Sequence, residues 1–177
     1  DGADALMLSG ETSVGEHPSV VVETMARIIE HVEQEALGSL PPLKDERVGS
    51  TARALTYAAV GVADDVDAAY LIAFTETGLS ARLISRWRNV TSLLAFTPNP
   101  RVRSQLSLVW GVETFLVPQV THTDDMVDQV DKALLEIGRA SVGERVVIVA
   151  GVPPGVPGTT NGMRVHRLGS AGRGAGV

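Results

Sequence analysis

An α/β fold with a mostly parallel five-stranded sheet, helices on both faces and an antiparallel last strand is what this 177-residue sequence predicts. Three observations carry that expectation. Four short runs are apolar almost throughout, the pattern of strands covered on both faces, and a fifth near the end of the chain alternates. Helix-period stretches separate the first four runs, which makes those strands parallel with right-handed crossovers. Only a Gly- and Pro-rich stretch without helical period separates the last two, so the fifth strand turns back antiparallel.

Ahead of that sheet, residues 4–8 read as an apolar strand running into the turn Ser9, Gly10, Glu11 and Thr12. The polar groups of this turn emerge at the strand's C-terminal end, where α/β enzymes build their sites. Pro18, at a first helical position, opens a helix with Val21, Met25, Ile28 and Val32 on one face. Such a stripe is unfavourable in water and calls for a partner surface. Residues 38–47, with Gly38, Pro41, Pro42, Lys44, Asp45, Glu46 and Arg47, read as a linker between an N-terminal piece, 1–37, and a domain over 48–168.

Within that domain a helix over 50–62 leads to the strand 69–74 and then to a helix carrying Leu79, Leu83 and Trp87. Strand 93–97 meets a helix started by Asn99 and Pro100 and lined by Val102, Leu106 and Val109. Strand 114–117 precedes a helix capped near Thr123, with Asp124 and Asp125 at its positive end and Arg139 near its negative end. Strands 145–150 and 163–168 complete the sheet. The Gly- and Ala-rich tail, 169–177, is expected to be disordered.

Composition narrows the function classes. With 44% hydrophobic residues the chain can bury a full core and reads as a globular protein. A net charge of -6 argues against nucleic acid or an anionic membrane surface as partner, since both reward clustered Lys and Arg. Lys44 and Lys132 are the only lysines; the remaining positive charge is scattered Arg, the usage of a GC-rich bacterial genome. Without cysteine there is no disulfide framework or thiolate metal site, which is compatible with a reducing cytoplasm. No signal peptide or membrane span is visible. The chain opens on Asp1 in what reads as the middle of an element, so it is expected to be the tail of a longer protein.

Several segments carry a resemblance. ALMLSGETSVGEHP, with the helix holding Met25, Ala26 and Arg27, resembles the eighth strand and helix of the pyruvate kinase catalytic barrel. AFTETGLSARLISRWR, LLAFTPNPRVRSQLSLVWG and VVIVAGVPPGVPGTTNGMRV resemble, in order, segments of the C-terminal domain of the same family. The resemblance implies the final β/α unit of a TIM barrel followed by a C-terminal α/β sandwich domain. It implies an activity too: phosphoryl transfer from phosphoenolpyruvate to ADP, with Mg2+ or Mn2+ and usually K+, in the cytoplasm.

By the same resemblance Ser9 and Glu11 sit at the rim of the active site, the serine hydroxyl near the route that delivers a proton to the enolpyruvate carbon. Ser9, Glu11 and Thr12 serve equally well as a turn that caps the next helix. Phosphoryl transfer needs metals and fixed cations around the transferring group. In residues 1–43 the only such cation is Arg27, inside a helix, and no carboxylate set is poised for magnesium. The chain alone is therefore expected to be inactive.

The loop Thr75, Glu76, Thr77, Gly78, Leu79 and Ser80 brings hydroxyls and backbone N–H groups to the start of a helix, which suits a phosphate. It resembles the loop that grips an allosteric sugar phosphate. A purely local reading is a helix capped by Thr77, with Gly78 easing the turn. Two departures from the family pattern matter: Glu76 stands where fructose bisphosphate-activated members often carry a basic residue, and Leu79 replaces a common Arg. The loop 151–161 is implied to lie near the same pocket, with Gly155, Gly158 and Thr159 as its candidates, but it lacks the Trp and Arg that favour a second phosphate. The expected effector is thus a sugar monophosphate or AMP.

His17, His31, His122 and His166 lie far apart in sequence and are expected to be surface or partly packed groups, with no metal site among them. Trp87, between Arg86 and Arg88, is expected to pack on the sheet. Met163, Arg164, Val165 and His166 alternate as a strand should, and the resemblance places them near the family's subunit contact. This implies a homo-oligomer, a tetramer for the full-length protein. Two rivals remain: a stand-alone module that binds a phosphometabolite without catalysis, and a structural domain that only mediates assembly.

Overall fold

The structure, a computed structural model, describes residues 2–36 and 49–170. It divides into two units, Asp1–Asp45 and Glu46–Val177. The expected linker, 38–47, lies outside the described residues, as does most of the expected tail. Gly169 and Ser170, which sequence assigned to that tail, are held: the Gly169 N–H donates to Asp131 Oδ2 at 3.1 Å and the Ser170 N–H to the Arg167 carbonyl at 3.2 Å.

The first unit holds α1 (Gly10–Ser13) and α2 (Pro18–Ala36). Pro18 sits at the first helical position, where its missing N–H costs no intrahelical bond. Gly15 lies so close to the Glu11 carbonyl that any Cβ there would collide with it. The strand expected over residues 4–8 is not formed. A strand exists through its ladder, and no described segment pairs with this one in a ladder, however apolar its sequence. Along α2, Ile28 and Val32 are exposed while Val21 and Met25 are half-buried.

The second unit contains α3 (Thr51–Asp65), β1 (Tyr70–Phe74), α4 (Leu79–Ser85), β2 (Leu93–Thr97), α5 (Pro100–Leu106), β3 (Val112–Leu116), α6 (Thr123–Glu136), β4 (Arg145–Gly151) and β5 (Thr160–Arg167). The sheet order is β3-β2-β1-β4-β5. The first four strands pair in parallel and β5 pairs antiparallel with β4. Ladder alternation sorts the side chains onto two faces. Ile72, Phe74, Leu94, Phe96, Val146 and Ile148 meet Met126, Val127, Val130 and Leu134 of α6. Leu71, Ala73, Leu93, Ala95, Val147 and Val149 meet Ala59 and Ala63 of α3, Ala81 and Ile84 of α4, and Val102 and Leu106 of α5. Alanines on both sides of the second contact let three helices lie close to the sheet, whereas the first face is filled by phenylalanines beneath one helix. Continuous apolar strands arise because each strand must satisfy both faces.

Several boundaries shift from their sequence positions for local reasons. Ser50 caps α3, its hydroxyl accepting from the Arg53 N–H at 3.3 Å, and Asn99 caps α5, its Oδ1 accepting from the Arg101 N–H at 2.9 Å. The cap of α6 is His122 and not Thr123, because Asp125 Oδ2 turns back to accept the His122 N–H at 3.1 Å. The helix α4 ends at Ser85, so Trp87 lies beyond it, and its ring packs 4.7 Å from Tyr57 of α3 instead of on the sheet. Arg139 falls past α6 and pairs with Glu113 at 2.7 Å; that carboxylate beside it raises the guanidinium pKa above its ordinary value. His166, expected near the surface, is buried, with its Nε2 2.7 Å from Asp131 Oδ1.

Candidate functional site

The strand order reverses at β1. From there the chain builds β2 and β3 to one side, then returns to place β4 on the other. Loops leaving β1 and β4 at their C-terminal ends therefore separate, and a crevice opens between them, as doubly wound sheets dictate. A solvent-open cavity lies there. Its apolar lining includes Phe74, Phe96, Val117, Pro118, Val120 and Met126. The hydroxyls of Thr75, Thr77, Ser80, Thr159 and Thr160 line it as well.

Local geometry shapes the first of these loops. Gly78 has φ 83°, in the left-handed region, and caps α4 without a side chain. The Gly78 N–H donates to the buried Thr75 hydroxyl at 2.8 Å. The turn is therefore closed by Thr75, not capped by Thr77, whose side chain is left exposed. The second loop is tied at its base. Asn161 reaches back to Val152, accepting its N–H at 2.7 Å and donating to its carbonyl at 2.8 Å, across the irregularity at Ala150/Gly151. Gly151 is needed here because a Cβ would strike the Thr159 hydroxyl.

An inventory of hydroxyl protons shows what the cavity can offer. Thr75 accepts from Gly78 and keeps its own proton to give. Ser80 and Thr160 share a buried bond of 2.7 Å in which either can donate, so one proton of that pair is left over. Thr159 spends its proton on the Val156 carbonyl at 2.7 Å. Thr75, Thr77 and one member of the Ser80–Thr160 pair thus remain as donors among the described residues. Among the described residues the lining holds no Lys or Arg, and its single charged side chain is Glu76.

Of the residues singled out by sequence, Thr75, Glu76, Thr77, Ser80, Gly155, Gly158 and Thr159 come together around this cavity, with Gly78 just behind it. Ser9 and Glu11 belong to the other unit. There Ser9 is the N-cap of α1, and its hydroxyl lies 3.4 Å from Glu11 Oε2. The backbone N–H of Glu11 and then that of Ser9 lower the Glu11 pKa below its ordinary value. Three contributors escaped sequence reasoning. Thr160 pairs with Ser80 across eighty residues. Arg82 donates to the Thr77 carbonyl at 3.3 Å and lies over Gly78. Gln119 donates to Glu76 at 2.8 Å. Only Arg82 left a local trace, one turn into α4; the other two become neighbours only through the sheet. Among the described residues no group of three or more His, Cys, Asp or Glu is placed to hold a metal ion, and no helix is long and apolar enough to cross a membrane.

A mostly parallel sheet with helices on both faces and a hydroxyl-lined cavity at its switch point defines an α/β domain of the doubly wound class. The family model described as pyruvate kinase, alpha/beta domain, matches residues 53–166. A pyruvate kinase of Mycobacterium tuberculosis is 51% identical over 170 residues, covering 96% of this chain and 35% of that protein. One of Corynebacterium glutamicum is 48% identical over the same length and the same shares. A crystal structure of a pyruvate kinase from Cryptosporidium parvum superposes with a TM-score of 0.75 at 30% identity, covering 92% of this chain and 32% of that one. The chain belongs to the pyruvate kinase family. It spans about a third of the length of the curated relatives it matches.

Proposed function

We propose that this chain is the C-terminal part of a pyruvate kinase, an enzyme that transfers a phosphoryl group from phosphoenolpyruvate to ADP to give pyruvate and ATP. Its own contribution is effector binding and assembly. The observation that carries this reading is the switch-point cavity, whose hydroxyl protons can satisfy one phosphate while its only charged side chain opposes a second. Hydrogen bonds to a charged group are each worth about 1.5–3 kcal/mol, so three hydroxyls suffice for a monoanion-sized head without a lysine. The effector is a sugar monophosphate or AMP.

Calorimetric titration of AMP, glucose 6-phosphate and fructose 1,6-bisphosphate tests this. One of the monophosphates is expected to bind most tightly, and Thr75→Ala with Thr77→Ala to weaken it at least roughly tenfold. Tightest binding of the bisphosphate overturns the effector class. Retained affinity in the double variant overturns the site.

Residues 1–37 supply the last β/α unit of the catalytic barrel, with Ser9 and Glu11 at the active-site rim. The remaining barrel brings the Mg2+ or Mn2+ and K+ sites and the fixed cations. A coupled lactate dehydrogenase assay on the purified 177-residue chain is expected to show no turnover above a vector control; pyruvate formation would refute this division of labour. Strand β5, with Met163 36% and Val165 45% exposed, is the proposed subunit contact of a cytoplasmic homotetramer. The rival reading, a stand-alone phosphometabolite sensor, requires that the reading frame upstream of Asp1 not continue into barrel motifs.

A further inference from the structure

The chain's net charge of -6 conceals an uneven distribution. Residues 77–112 carry Arg82, Arg86, Arg88, Arg101 and Arg103 and no Asp or Glu, a local charge of +5 that leaves the rest of the chain at -11. In the sequence the buried strand β2 interrupts these arginines, so no basic run is visible. The fold removes the interruption. Helices α4 and α5 cover the same face of the sheet, through Ala81, Ile84, Val102 and Leu106. They are neighbours there, since Arg82 of α4 and Leu106 of α5 both crowd the position that a Cβ on Gly78 would take. Their inner positions are spent on the core, which leaves Arg82, Arg101 and Arg103 exposed and Arg86 half-buried.

A solvated surface mixes its signs, because clustered like charges repel. Among the described residues none of Arg82, Arg86, Arg101 and Arg103 forms an ion pair. Arg86 lies 5.8 Å over the Trp87 ring and Arg88 lies 4.7 Å over Trp110. A stacked guanidinium keeps a planar fork of donors that matches a carboxylate or a phosphate, and Arg and Trp dominate the strongly contributing positions of protein interfaces. Apolar side chains share the region: Leu79 is 44% exposed, Val90 88% and Leu108 67%. A protein segment buries such groups, whereas a sugar–phosphate backbone leaves them wet. Charge beyond the face points the same way. A long polyanion would run onto the remaining, negatively charged surface and be repelled, and a short acidic segment would not.

We propose that the outer face of α4 and α5 docks a short protein segment rich in carboxylates and carrying an apolar side chain. This docking is independent of what the cavity binds.

Fluorescence anisotropy of a labelled peptide, Glu-Glu-Leu-Glu-Glu-Trp-Glu-Glu, tests the face on the 177-residue chain at an ionic strength of about 0.15 M. The peptide is expected to bind at least roughly tenfold more tightly than its counterpart with Gln for every Glu, and more tightly than an oligouridylate of the same charge or phosphatidylserine vesicles. Arg101→Glu with Arg103→Glu should weaken it at least roughly tenfold. Both side chains are exposed and the cap at Asn99 holds the Arg101 backbone N–H, so the unfolding midpoint should stay at the unsubstituted value. Arg27→Glu with Arg145→Glu makes the same change in net charge on α2 and β4, and should alter affinity by less than about twofold. An equal loss in that control, or no loss after Arg101→Glu with Arg103→Glu, overturns the docking face. Tighter binding of the oligouridylate or the vesicles assigns the face to a phosphate-bearing partner and overturns the carboxylate proposal. Absence of a preference for the Glu peptide over the Gln peptide, or no binding of either, overturns it too.

Discussion

Replacing Phe96 by Ala is expected to lower the free energy of unfolding by about 3–5 kcal/mol, the cost of a large buried side chain together with the void it leaves. Phe96 is fully buried in β2, between β3 and the central strand β1. Its ring centroid lies 5.2 Å from that of Phe74 and 5.0 Å from that of Phe115, which are its ladder neighbours on either side. These offset and tilted contacts add to the area term. The three rings form the row beneath α6 and, through Phe74 and Phe96, the floor of the cavity. Backbone ladder bonds hold the strands apart at fixed spacing, so the surrounding residues cannot collapse fully into the space. Urea unfolding followed by circular dichroism measures the loss. Phe96→Leu, which keeps most of the volume, should cost under about 1.5 kcal/mol. A loss below about 1 kcal/mol for Phe96→Ala would show that the ring row does not stabilise the sheet.

The second large effect is expected at Asp131, on α6. Its side chain is buried and serves two partners at once: His166 Nε2 at 2.7 Å and the Gly169 N–H at 3.1 Å. These bonds fix the far end of β5, the sheet's only antiparallel strand, to the helix that covers that face. Asp131→Ala leaves a buried imidazole and a backbone donor without an acceptor, at about 1–3 kcal/mol for each orphaned group. The expected total is about 2–4 kcal/mol by equilibrium unfolding, together with faster hydrogen exchange of amides 163–169. Asp131→Asn retains one accepting oxygen and should lose about half as much. Unchanged exchange in β5 after Asp131→Ala would mean that the strand is held by its ladder to β4 alone.

What could be read from the sequence follows from where each signal is stored. Strands β1, β2 and β4 were plain because each one must be apolar on both faces, and their residues satisfy that condition one by one. The start of α5 at Asn99 and Pro100 was legible for the same reason, since a cap and its N–H donors are separated by two or three residues. Residues 4–8 read as an apolar strand, yet no strand forms, because pairing is a property of two segments and no described segment pairs with this one in a ladder. Thr77 has the chemistry of a cap, but the left-handed turn at Gly78 hands the bond to Thr75. His166 reads as one residue of an alternating strand, and only the register of β5 against β4 sets it opposite Asp131.

By itself, then, the order of residues determined the element types from Ser50 onward, the parallel arrangement with its final reversal, the family, and which loops carry hydroxyls, since these depend on short-range periodicity and local chemistry. Tertiary structure alone decided that Glu76, Gln119 and Gly155 meet, that Ser80 finds Thr160, and that the loops open onto one cavity. Those meetings arise from the strand order about β1, a long-range choice made by burying both faces of the sheet at once, and nothing within a few residues of any of these side chains encodes it.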